Sequence, residues 1–348
     1  MTSSVEATAM TDAPSGSVSI VTVTYGDRLH LLEQVVHACL TDPAVADMHL
    51  VSNNSKSDLT GLEARWGDRL KVIRLDRNMG SAIGFGKGIE SALAGERAQI
   101  MLLDDDNVPG PGCIDALLEE LSRVQSRVGP SLAGVAASRA FHHPDIATAA
   151  LSPAYVYGRP SRFMGFNLFH RLVRRRLMRL FGRHRLPPGT TSIVVPSVPY
   201  GGYLAAAEAY RKIGTPNADL VLYSDDIEYT YRLTKLGGEI RLVLNTLVDD
   251  LDTRQGINME ARSVFSRLLG APSAFRLYYS VRNQVWFEQN PWSHVALYQS
   301  VNRAMFLFFM KREARRLGMP ENYEIFMSAV RDGEAGRLGA NDRFPLPD

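Results

Sequence analysis

Apolar and polar residues alternate over the first 125 residues in short blocks that predict strands and helices in turn. The β-branched run VSIVTVT at 18–24 predicts a strand, and apolar positions over 31–40 recur with the spacing of a helix. Further strands are predicted in MHLVSNN, LKVIRLD and AQIMLLD, and further helices in GFGKGIESALAG and GCIDALLEELSRV. This alternation indicates an α/β fold with a parallel, doubly wound sheet, which binds ligands beyond the carboxyl ends of its strands.

The regular pattern is interrupted once and then resumes. LAGVAAS predicts another strand, residues 140–190 lose the regularity, and it returns from residue 199 with a helix beginning near Asp225. Two long helical stretches, FRLYYSVRNQVWFEQNPW and HVALYQSVNRAMFLFFMKREARRLG, follow. The predicted organisation is a disordered tail at 1–16, an α/β domain at 17–255 and a C-terminal helical region at 256–348 that contacts an acceptor, a membrane or another copy.

A basic amphipathic insertion occupies about 160–190. Its apolar side chains fall near one helical face and its arginines surround them: Phe169, Leu172, Val173, Leu177, Leu180 and Phe181, with Arg162, Arg171, Arg174, Arg175, Arg176, Arg179, Arg183 and Arg185. Such a helix fits an anionic membrane surface, and it equally fits a helix packed on the protein core with solvated arginines.

Composition and charge exclude several classes of protein. The 348 residues are 45% hydrophobic and 22% charged with a net charge of +2, which is an ordinary globular balance. Nucleic acid is not an expected partner, because the arginines cluster with large apolar residues. Cys39 and Cys113 form no metal-ligand spacing, which favours a reducing, cytoplasmic compartment. Residues 1–16 lack a signal-peptide pattern, and no uncharged apolar run reaches about 18 residues.

The stretch IMLLDDDNVPG at 100–110 places three aspartates directly after a buried apolar run. Adjacent carboxylates repel one another unless a positive charge lies between them, and Mg²⁺ prefers oxygen ligands of this kind. The sequence therefore predicts a divalent metal at Asp104, Asp105 and Asp106. The alternative is an acidic loop in which one aspartate caps the following helix.

A second acidic group, SDDIE at 224–228, lies about 120 residues further along. Two such clusters fit one site assembled from both sides, in which one cluster holds metal and the other supplies a general base. The alternative is that Asp225 and Asp226 only complement the positive end of a helix dipole.

Seven blocks in order carry a resemblance to a known family: VSIVTVTYGD, VSNNSKSD, RNMGSAIGFGKGIESAL, LLDDDNVPGPG, YGGYLAAAEAYRKIG, YSDDIEYTYRLTKLGGEI and YYSVRNQVWF. Over roughly residues 18–290 the chain resembles the inverting nucleotide-sugar glycosyltransferases of family 2. It looks closest to bacterial galactofuranosyltransferases and next to rhamnosyltransferases. The resemblance implies a Rossmann-like GT-A fold with a mostly parallel sheet, a uridine or thymidine diphosphate sugar, and Mn²⁺ or Mg²⁺.

The same resemblance implies roles for individual residues. Asp226 matches the catalytic base, and Asp104 and Asp106 match the aspartates that bind metal and diphosphate, with Asp105 nearer the sugar. The other implied positions are those of the donor, Thr24, Tyr25, Gly26, Asn53, Asn54, Asp58, Asn78, Gly80, Asp104 and Asp105, and those of the acceptor or sugar, Tyr200, Gly201, Gly202, Asp225 and Glu228.

Two departures from the family pattern stand out. The second strand usually ends in Asp before Asn, whereas Asn53 stands here and Asp58 is a possible substitute. Where the family often has a metal-binding His, TLVDDLD offers Asp249, Asp250 or Asp252, of which Asp250 is our choice. A carboxylate can replace an imidazole as a ligand of Mg²⁺ or Mn²⁺.

The expected activity is transfer of galactofuranose from UDP-galactofuranose to a hydroxyl of a cell-surface glycan. We expect a polyprenyl-diphosphate-linked acceptor, peripheral contact with the inner face of the cell membrane, and a possible homo-oligomer. The alternatives are a rhamnosyltransferase that uses dTDP-rhamnose and, from another class, a non-catalytic scaffold that binds nucleotide sugars. A nucleotidyltransferase is disfavoured, since TVTYGDRLH lacks the Gly-rich, basic loop that such enzymes carry after the first strand.

Overall fold

The computed structural model describes residues 17–95, 97–139, 150–152, 155, 161–252, 263–289 and 296–347. The predicted tail at 1–16 lies outside these residues. The described strands are β1 (Val18–Gly26), β2 (Val45–Ser55), β3 (Leu70–Leu75), β4 (Gln99–Asp104), β5 (Asn107–Pro109), β6 (Ala133–Ala137), β7 (Ser192–Val195), β8 (Tyr203–Ala206), β9 (Glu239–Val243) and β10 (Val248–Asp250).

The described helices flank this sheet and continue beyond it. They are α1 (Leu29–Thr41), α2 (Thr60–Trp66), α3 (Ser81–Leu93), α4 (Cys113–Val128), α5 (Arg175–Leu180), α6 (Ala207–Ile213), α7 (Asp225–Lys235), α8 (Val264–Leu269), α9 (Ala274–Gln289), α10 (Ala296–Leu317) and α11 (Pro320–Glu334). A π-helical turn, His170–Arg174, leads into α5.

The sheet has the order β3-β2-β1-β4-β8-β6-β9-β7 in the part of the chain that is described. Strands β1 to β4 are parallel, as the alternation of strands and helices predicts. In this half, Thr24 pairs with Ser52 and Val23 pairs with Asp104, so that the carboxyl ends of β1, β2 and β4 meet at one edge. The predicted α/β fold with a mostly parallel sheet is therefore confirmed.

The second half of the sheet contains strands that run in the opposite direction. Strand β8 is antiparallel to both β4 and β6, β6 is parallel to β9, and β7 is antiparallel to β9. A separate ribbon pairs β5 with β10, with Asn107 opposite Asp250. This ribbon brings residues 248–250 beside the acidic turn that follows β4.

Two apolar layers cover the faces of the sheet. Side chains alternate along each strand, so Met101 and Leu103 face one layer and Ile100 and Leu102 face the other. All four are fully buried, as expected for a strand that is covered on both faces. Helices α1 and α4 form the first layer, and α3, α6 and α7 form the second.

The glycines of α3 serve packing. A Cβ at Gly84 would lie 2.7 Å from Val23 Cγ1, and a Cβ at Gly88 would lie 2.4 Å from Val21 Cγ1. Helix α3 can therefore approach β1 closely only because these two residues have no side chain. Gly84 and Gly88 of RNMGSAIGFGKG thus have a structural explanation, whereas a Cβ at Gly86 would make only ordinary contacts with Thr215 and Pro216.

Helices α8 to α11 build a third apolar cluster, which confirms the helical C-terminal region. The cluster includes Phe306 of α10 and Phe326 of α11, and it reaches Phe163, Phe166 and Val221 of the preceding segments. Among the described residues, no helix is both long enough and apolar enough to cross a lipid bilayer.

Candidate functional site

A pocket of about 330 Å³ lies beyond the carboxyl ends of β1, β2 and β4. It joins the α/β domain to the C-terminal region, because residues of both line it. The residues that line it include Tyr25, Arg28, Asn53, Asn78, Gly80, Ser81, Asp104, Asp105, Asp106, Arg139, Tyr200, Tyr223, Ser224, Asp225, Asp226, Asp250, Asp252, Arg276, Leu346 and Pro347.

Asn107 organises the acidic turn after β4. It is fully buried, and its side-chain oxygen accepts a hydrogen bond from the backbone N–H of Asp104 at 3.2 Å. Its amide nitrogen donates to Asp106 Oδ1 at 3.2 Å and to Asp250 Oδ1 at 2.8 Å. The side chain thereby fixes the turn against β10 and holds Asp106 and Asp250 close to each other.

Arg28, in the loop after β1, pairs with three carboxylates at once. Its guanidinium lies 3.0 Å from Asp105, 3.0 Å from Asp106 and 2.9 Å from Asp252. Asp105 also accepts a hydrogen bond from Thr24 Oγ1 at 2.7 Å. Arg28 and Asp105 are both almost completely buried, so this group is a wall of the pocket in which one cation offsets part of the charge of three carboxylates.

Arg139 plays the same part on the opposite side of the acidic turn. It follows β6, is 4% exposed, and pairs with Asp104 at 3.2 Å and with Asp250. The side chain of Asp104 is 39% exposed, so of this pair of carboxylates it is the more open toward the pocket. The sequence pattern did not predict that Arg28 or Arg139 would contribute to the site.

The acidic turn keeps an excess of negative charge despite the two arginines. Burial and the charges of Asp104 and Asp105 raise the pKa of Asp106 to about 7. Burial raises the pKa of Asp105 to about 6, although the charge of Arg28 opposes that change. Each carboxylate thus resists ionisation, and this environment favours the approach of a further cation.

This chemistry bears on the predicted metal. Carboxylate oxygens and residual negative charge fit a hard divalent cation, and Asp104, Asp106 and Asp250 are the residues that would hold it. In the described segments, no three acidic, histidine or cysteine side chains are grouped closely enough to form a metal site as they stand. Asp104 and Asp250 also pair with Arg139, so a cation held there would share these carboxylates with that guanidinium.

Asp225 and Asp226 begin α7 on the opposite side of the pocket. Asp225 is buried and accepts a hydrogen bond from Ser81 Oγ at 2.9 Å, whereas Asp226 is partly exposed and accepts one from the backbone N–H of Ile227 at 2.7 Å. Burial raises the pKa of both carboxyls. The negative charge of Asp226 raises the pKa of Asp225 further, and the negative charge of Asp104 raises the pKa of Asp226 further. Asp104 and Asp226 line the same pocket, so the two acidic clusters face one space.

Two of the positions expected for the nucleotide, Asn53 and Asn78, lie in one wall of the pocket. Asn53 is buried, and its side chain accepts from the N–H of Met79 at 2.8 Å and donates to Asn78 at 3.0 Å. Asn78 in turn donates to the carbonyl of Pro347 at 2.8 Å. Asn53 thus shapes the loop at 78–80, and the segment at 346–347 closes the same side of the pocket.

Other positions named from the sequence do not line the pocket. Asp58 is exposed and hydrogen-bonded to Thr60 at the start of α2, and Glu228 pairs with Arg232 along α7. The following predicted positions also lie outside the pocket lining: Thr24, Gly26, Asn54, Gly201, Gly202 and Asp249. A Cβ at Gly201 would lie 2.1 Å from Asn107 Oδ1, so the absence of a side chain there makes room for that asparagine.

Sequence reasoning missed Arg28, Asn107, Arg139 and Arg276. Arg276 of α9 donates to Tyr25 Oη and to Tyr223 Oη, each at 2.9 Å, and so spans the pocket between its two halves. A signal for one of them existed, because three adjacent aspartates require a cation and Arg28 stands in the loop after the first strand. Nothing in the pattern pointed to Arg139 or Arg276.

The mostly parallel sheet, with an acidic turn after its fourth strand and a second acidic cluster facing it, is consistent with the GT-A fold. Residues 19–187, slightly less than half of the chain, match the family described as Glycosyl transferase family 2. This stretch is therefore similar to a glycosyltransferase family 2 domain. No curated protein matches the sequence significantly.

Solved structures with partial similarity to the chain have low sequence identity. GalNAc-T7 with UDP, GalNAc and Mn²⁺ is 14% identical with a TM-score of 0.50, over 84% of this chain and 55% of that chain. The mannosyltransferase PcManGT from Pyrobaculum calidifontis with GDP-Man and Mn²⁺ is 11% identical with a TM-score of 0.49, over 95% and 79%. S. aureus TarS 1-349 with UDP-GlcNAc is 12% identical with a TM-score of 0.47, over 91% and 80%. The chain thus spans about half the length of the GalNAc-T7 chain.

Proposed function

We propose that this protein is an inverting glycosyltransferase that moves a sugar from a nucleoside diphosphate donor to an acceptor hydroxyl. The observation that carries the proposal is the convergence of Asp104, Asp106 and Asp226 on one pocket from opposite sides. One acidic cluster fits a donor diphosphate with its cation, and the other fits deprotonation of an acceptor. The family 2 match of residues 19–187 supports the same activity.

In this mechanism Asp226 takes the proton from the acceptor hydroxyl, which then attacks the anomeric carbon in line with the departing diphosphate. Burial raises the pKa of Asp226, which makes it a stronger base than a solvated carboxylate. Arg276, between Tyr25 and Tyr223, adds a positive charge on the donor side. A divalent cation on Asp104, Asp106 and Asp250 would neutralise charge on the leaving group.

For the donor sugar we propose galactofuranose from UDP-galactofuranose, with dTDP-rhamnose as the alternative donor. The support is the sequence resemblance, in which the triple aspartate and the helix start at 78–85 look closest to galactofuranosyltransferases. The GalNAc-T7 structure that shares the fold holds UDP and Mn²⁺, which is consistent with a uridine nucleotide and a metal cofactor.

A donor screen tests the activity and selects the sugar. Purified protein with Mn²⁺ or Mg²⁺ is given UDP-galactofuranose, dTDP-rhamnose, UDP-glucose or UDP-galactose, with and without a lipid-linked glycan, and released nucleoside diphosphate is measured. We expect metal-dependent turnover of one donor. Binding of a donor without turnover on any acceptor would instead support the non-catalytic scaffold.

For the acceptor we propose a polyprenyl-diphosphate-linked glycan, reached at the inner face of the cell membrane. Apolar side chains of the basic insertion are exposed: Leu180 by 77%, Phe181 by 68% and Leu172 by 51%. Exposed arginines accompany them, among them Arg176 and Arg183. An anionic lipid surface would cover this apolar patch and complement its charge.

Flotation with liposomes tests the membrane contact. The protein should float with vesicles that contain anionic lipid and not with neutral vesicles. Replacing Leu180 and Phe181 by Glu should abolish flotation, whereas the control Leu236→Glu, at a side chain of 51% exposure at the end of α7, should not. Self-association of the wild type without lipid, lost in the double variant, would assign the patch to an oligomer contact instead.

A further inference from the structure

The backbone just before Asp225 adopts an unusual conformation. Val221, Tyr223 and Ser224 have φ angles of 66°, 67° and 60°, in the left-handed region that favours glycine. Val221 is a particular outlier, since a β-branched residue is seldom found there. Such a turn persists only where surrounding contacts hold it, and strained backbone of this kind tends to occur at functional sites.

Asn283 of α9 holds this turn directly. It is fully buried, and its amide nitrogen lies 2.7 Å from the carbonyl oxygen of Leu220, 2.8 Å from that of Leu222 and 2.9 Å from that of Tyr223. The two N–H hydrogens of one side chain thereby serve three carbonyls of a single strained turn, with one hydrogen shared between two of them. Removing the amide would leave buried carbonyls unpaired.

Arg282 fixes the orientation of the Asn283 amide. Its Nε donates to Asn283 Oδ1 at 2.8 Å, so the nitrogen of that amide must face the turn. Its other nitrogens donate to the carbonyls of Asp219 and Leu220, each at 3.2 Å, and to that of Gly339. The pair of residues therefore forms a clamp, Arg282 with Asn283, on the turn at 219–224.

The clamped turn touches the donor side of the pocket as well. The carbonyl of Val221 accepts a hydrogen bond from the N–H of Ala82 at 3.3 Å and occupies the space beside Gly80, where a Cβ would lie 2.1 Å from it. Ser81 next to it donates to Asp225. The position of the turn thus sets where Asp225 and Asp226 lie relative to the start of α3.

We propose that Asn283, oriented by Arg282, is a positioning residue for the base Asp226. By this account the C-terminal helical region takes part in catalysis through the turn at 219–224, without itself contacting the reacting atoms. The proposal rests on the proposed function, because it takes Asp226 as the base. It predicts a loss of turnover that is separate from donor binding and from global stability.

Asn302 of α10 supplies a matched control. It is also buried, its amide donates to the carbonyl of Ser161 at 2.7 Å, and its oxygen accepts from the N–H of Leu168 at 2.9 Å. It lies in the same helical region but holds a segment that does not lead to Asp226. Asn283→Ala and Asn302→Ala are therefore comparable losses of buried hydrogen bonds at different places.

The experiment measures kcat with the donor found in the screen, UDP affinity by calorimetry, and thermal stability. For Asn283→Ala we expect kcat to fall about 100-fold, as a misplacement of about 1 Å can produce, with UDP affinity changed less than about threefold. Asn302→Ala should lose comparable thermal stability and keep kcat within about threefold. Asn283→Asp, which preserves size and the acceptor for Arg282, serves as a second variant with the same expected direction.

Three outcomes would overturn the proposal. They are a folded Asn283→Ala with near-normal kcat, a fall in kcat that merely follows the loss of folded protein, and failure of both Asn283 variants to fold while Asn302→Ala folds. Asp226→Asn in the same assay distinguishes failure of the proposed function from failure of this inference. If Asp226→Asn retains turnover, the proposed function itself fails; if it abolishes turnover and Asn283→Ala does not reduce it, only this inference fails.

Discussion

At the scale of single residues, the site is dominated by carboxylates whose charge is only partly neutralised. Asp104, Asp105 and Asp106 lie between Arg28 on one side and Arg139 on the other. Both guanidiniums are buried, where an ion pair is costly to break because the remaining partner stays desolvated. The arginines are thus part of the framework on which a donor and its cation would bind.

Replacing Arg28 by Met should destabilise the protein by about 3 kcal/mol at pH 7.5, because buried carboxylates lose their counterion. The loss should shrink toward pH 5. Burial already raises the pKa of Asp105 to about 6, and without the arginine that pKa rises further, so the penalty grows only as the pH increases through this range. Urea unfolding at both pH values measures it.

The matched control for Arg28 is Arg123→Met, which removes a half-exposed cation paired with Glu119 and Glu120. Its cost should stay below about 1 kcal/mol. Equal losses for the two variants would show that the buried carboxylates do not depend on Arg28.

Replacing Asp225 by Asn should stabilise the protein relative to wild type more at pH 8 than at pH 5. Burial raises the folded-state pKa of Asp225, so the wild-type carboxyl contributes fully below its unfolded pKa of about 3.9 and loses that contribution as the pH rises through the folded value. Asparagine is neutral throughout. The expected difference between the two pH values is about 1 to 2 kcal/mol in unfolding free energy, and a difference of the opposite sign would contradict the assignment.

The sequence identified the acidic residues of the site and missed their partners. Asp104 and Asp226 could be predicted because carboxylates after an apolar run or at a helix start can be recognised from the local sequence alone. Arg28 contacts Asp105 across 77 positions, and Arg139 contacts Asp250 across 111. Such pairings depend on how strands are ordered in the sheet, which local patterns do not specify.

At the scale of elements, periodicity predicted the strands and helices of the first half of the chain, such as β1, α3 and β4. It did not predict the strands β7 and β8, and their antiparallel direction could not be predicted from periodicity, because a buried strand has the same apolar pattern whichever way it runs. The short helix α2 and the helix α11 were also missed. The ribbon of β5 and β10, three residues each, is too short to leave a pattern.

Gly80→Ala should be more destabilising than the control Gly214→Ala. Both glycines have positive φ, 82° and 75°, but a Cβ at Gly80 would lie 2.1 Å from the carbonyl of Val221, whereas nothing lies within 4 Å of one at Gly214. The conformational cost alone is about 1 kcal/mol, and the clash at Gly80 should at least double it. Chemical unfolding of the two variants measures this, and equal costs would show that the turn at 219–224 yields easily.

At the scale of the whole molecule, the C-terminal helical region and the α/β domain share one apolar cluster and one pocket. Phe163 and Val221 pack with Phe306 and Phe326, and Arg276 and Leu346 line the pocket together with residues of the sheet edge. The family 2 match ends at residue 187, so the clamp of Arg282 and Asn283 on the turn at 219–224 lies beyond it. The C-terminal region is therefore integral to the site.

This continuity predicts cooperative unfolding. Variants that keep only Trp66, in α2, or only Trp286, in α9, should give coincident urea transitions by fluorescence, because the apolar cluster of the helical region includes Phe163, Phe166 and Val221. Two separate midpoints would show that the helical region unfolds independently.

The measurement that tests the central claim most directly is the turnover of Asp226→Asn beside its affinity for UDP. We expect turnover to fall by about 10² to 10⁴-fold, the contribution of a general base, while UDP affinity changes less than about threefold. Glu228→Gln, two residues along the same helix and paired with Arg232, should retain turnover. Undiminished turnover in Asp226→Asn would contradict the account, as would loss of UDP binding in step with turnover.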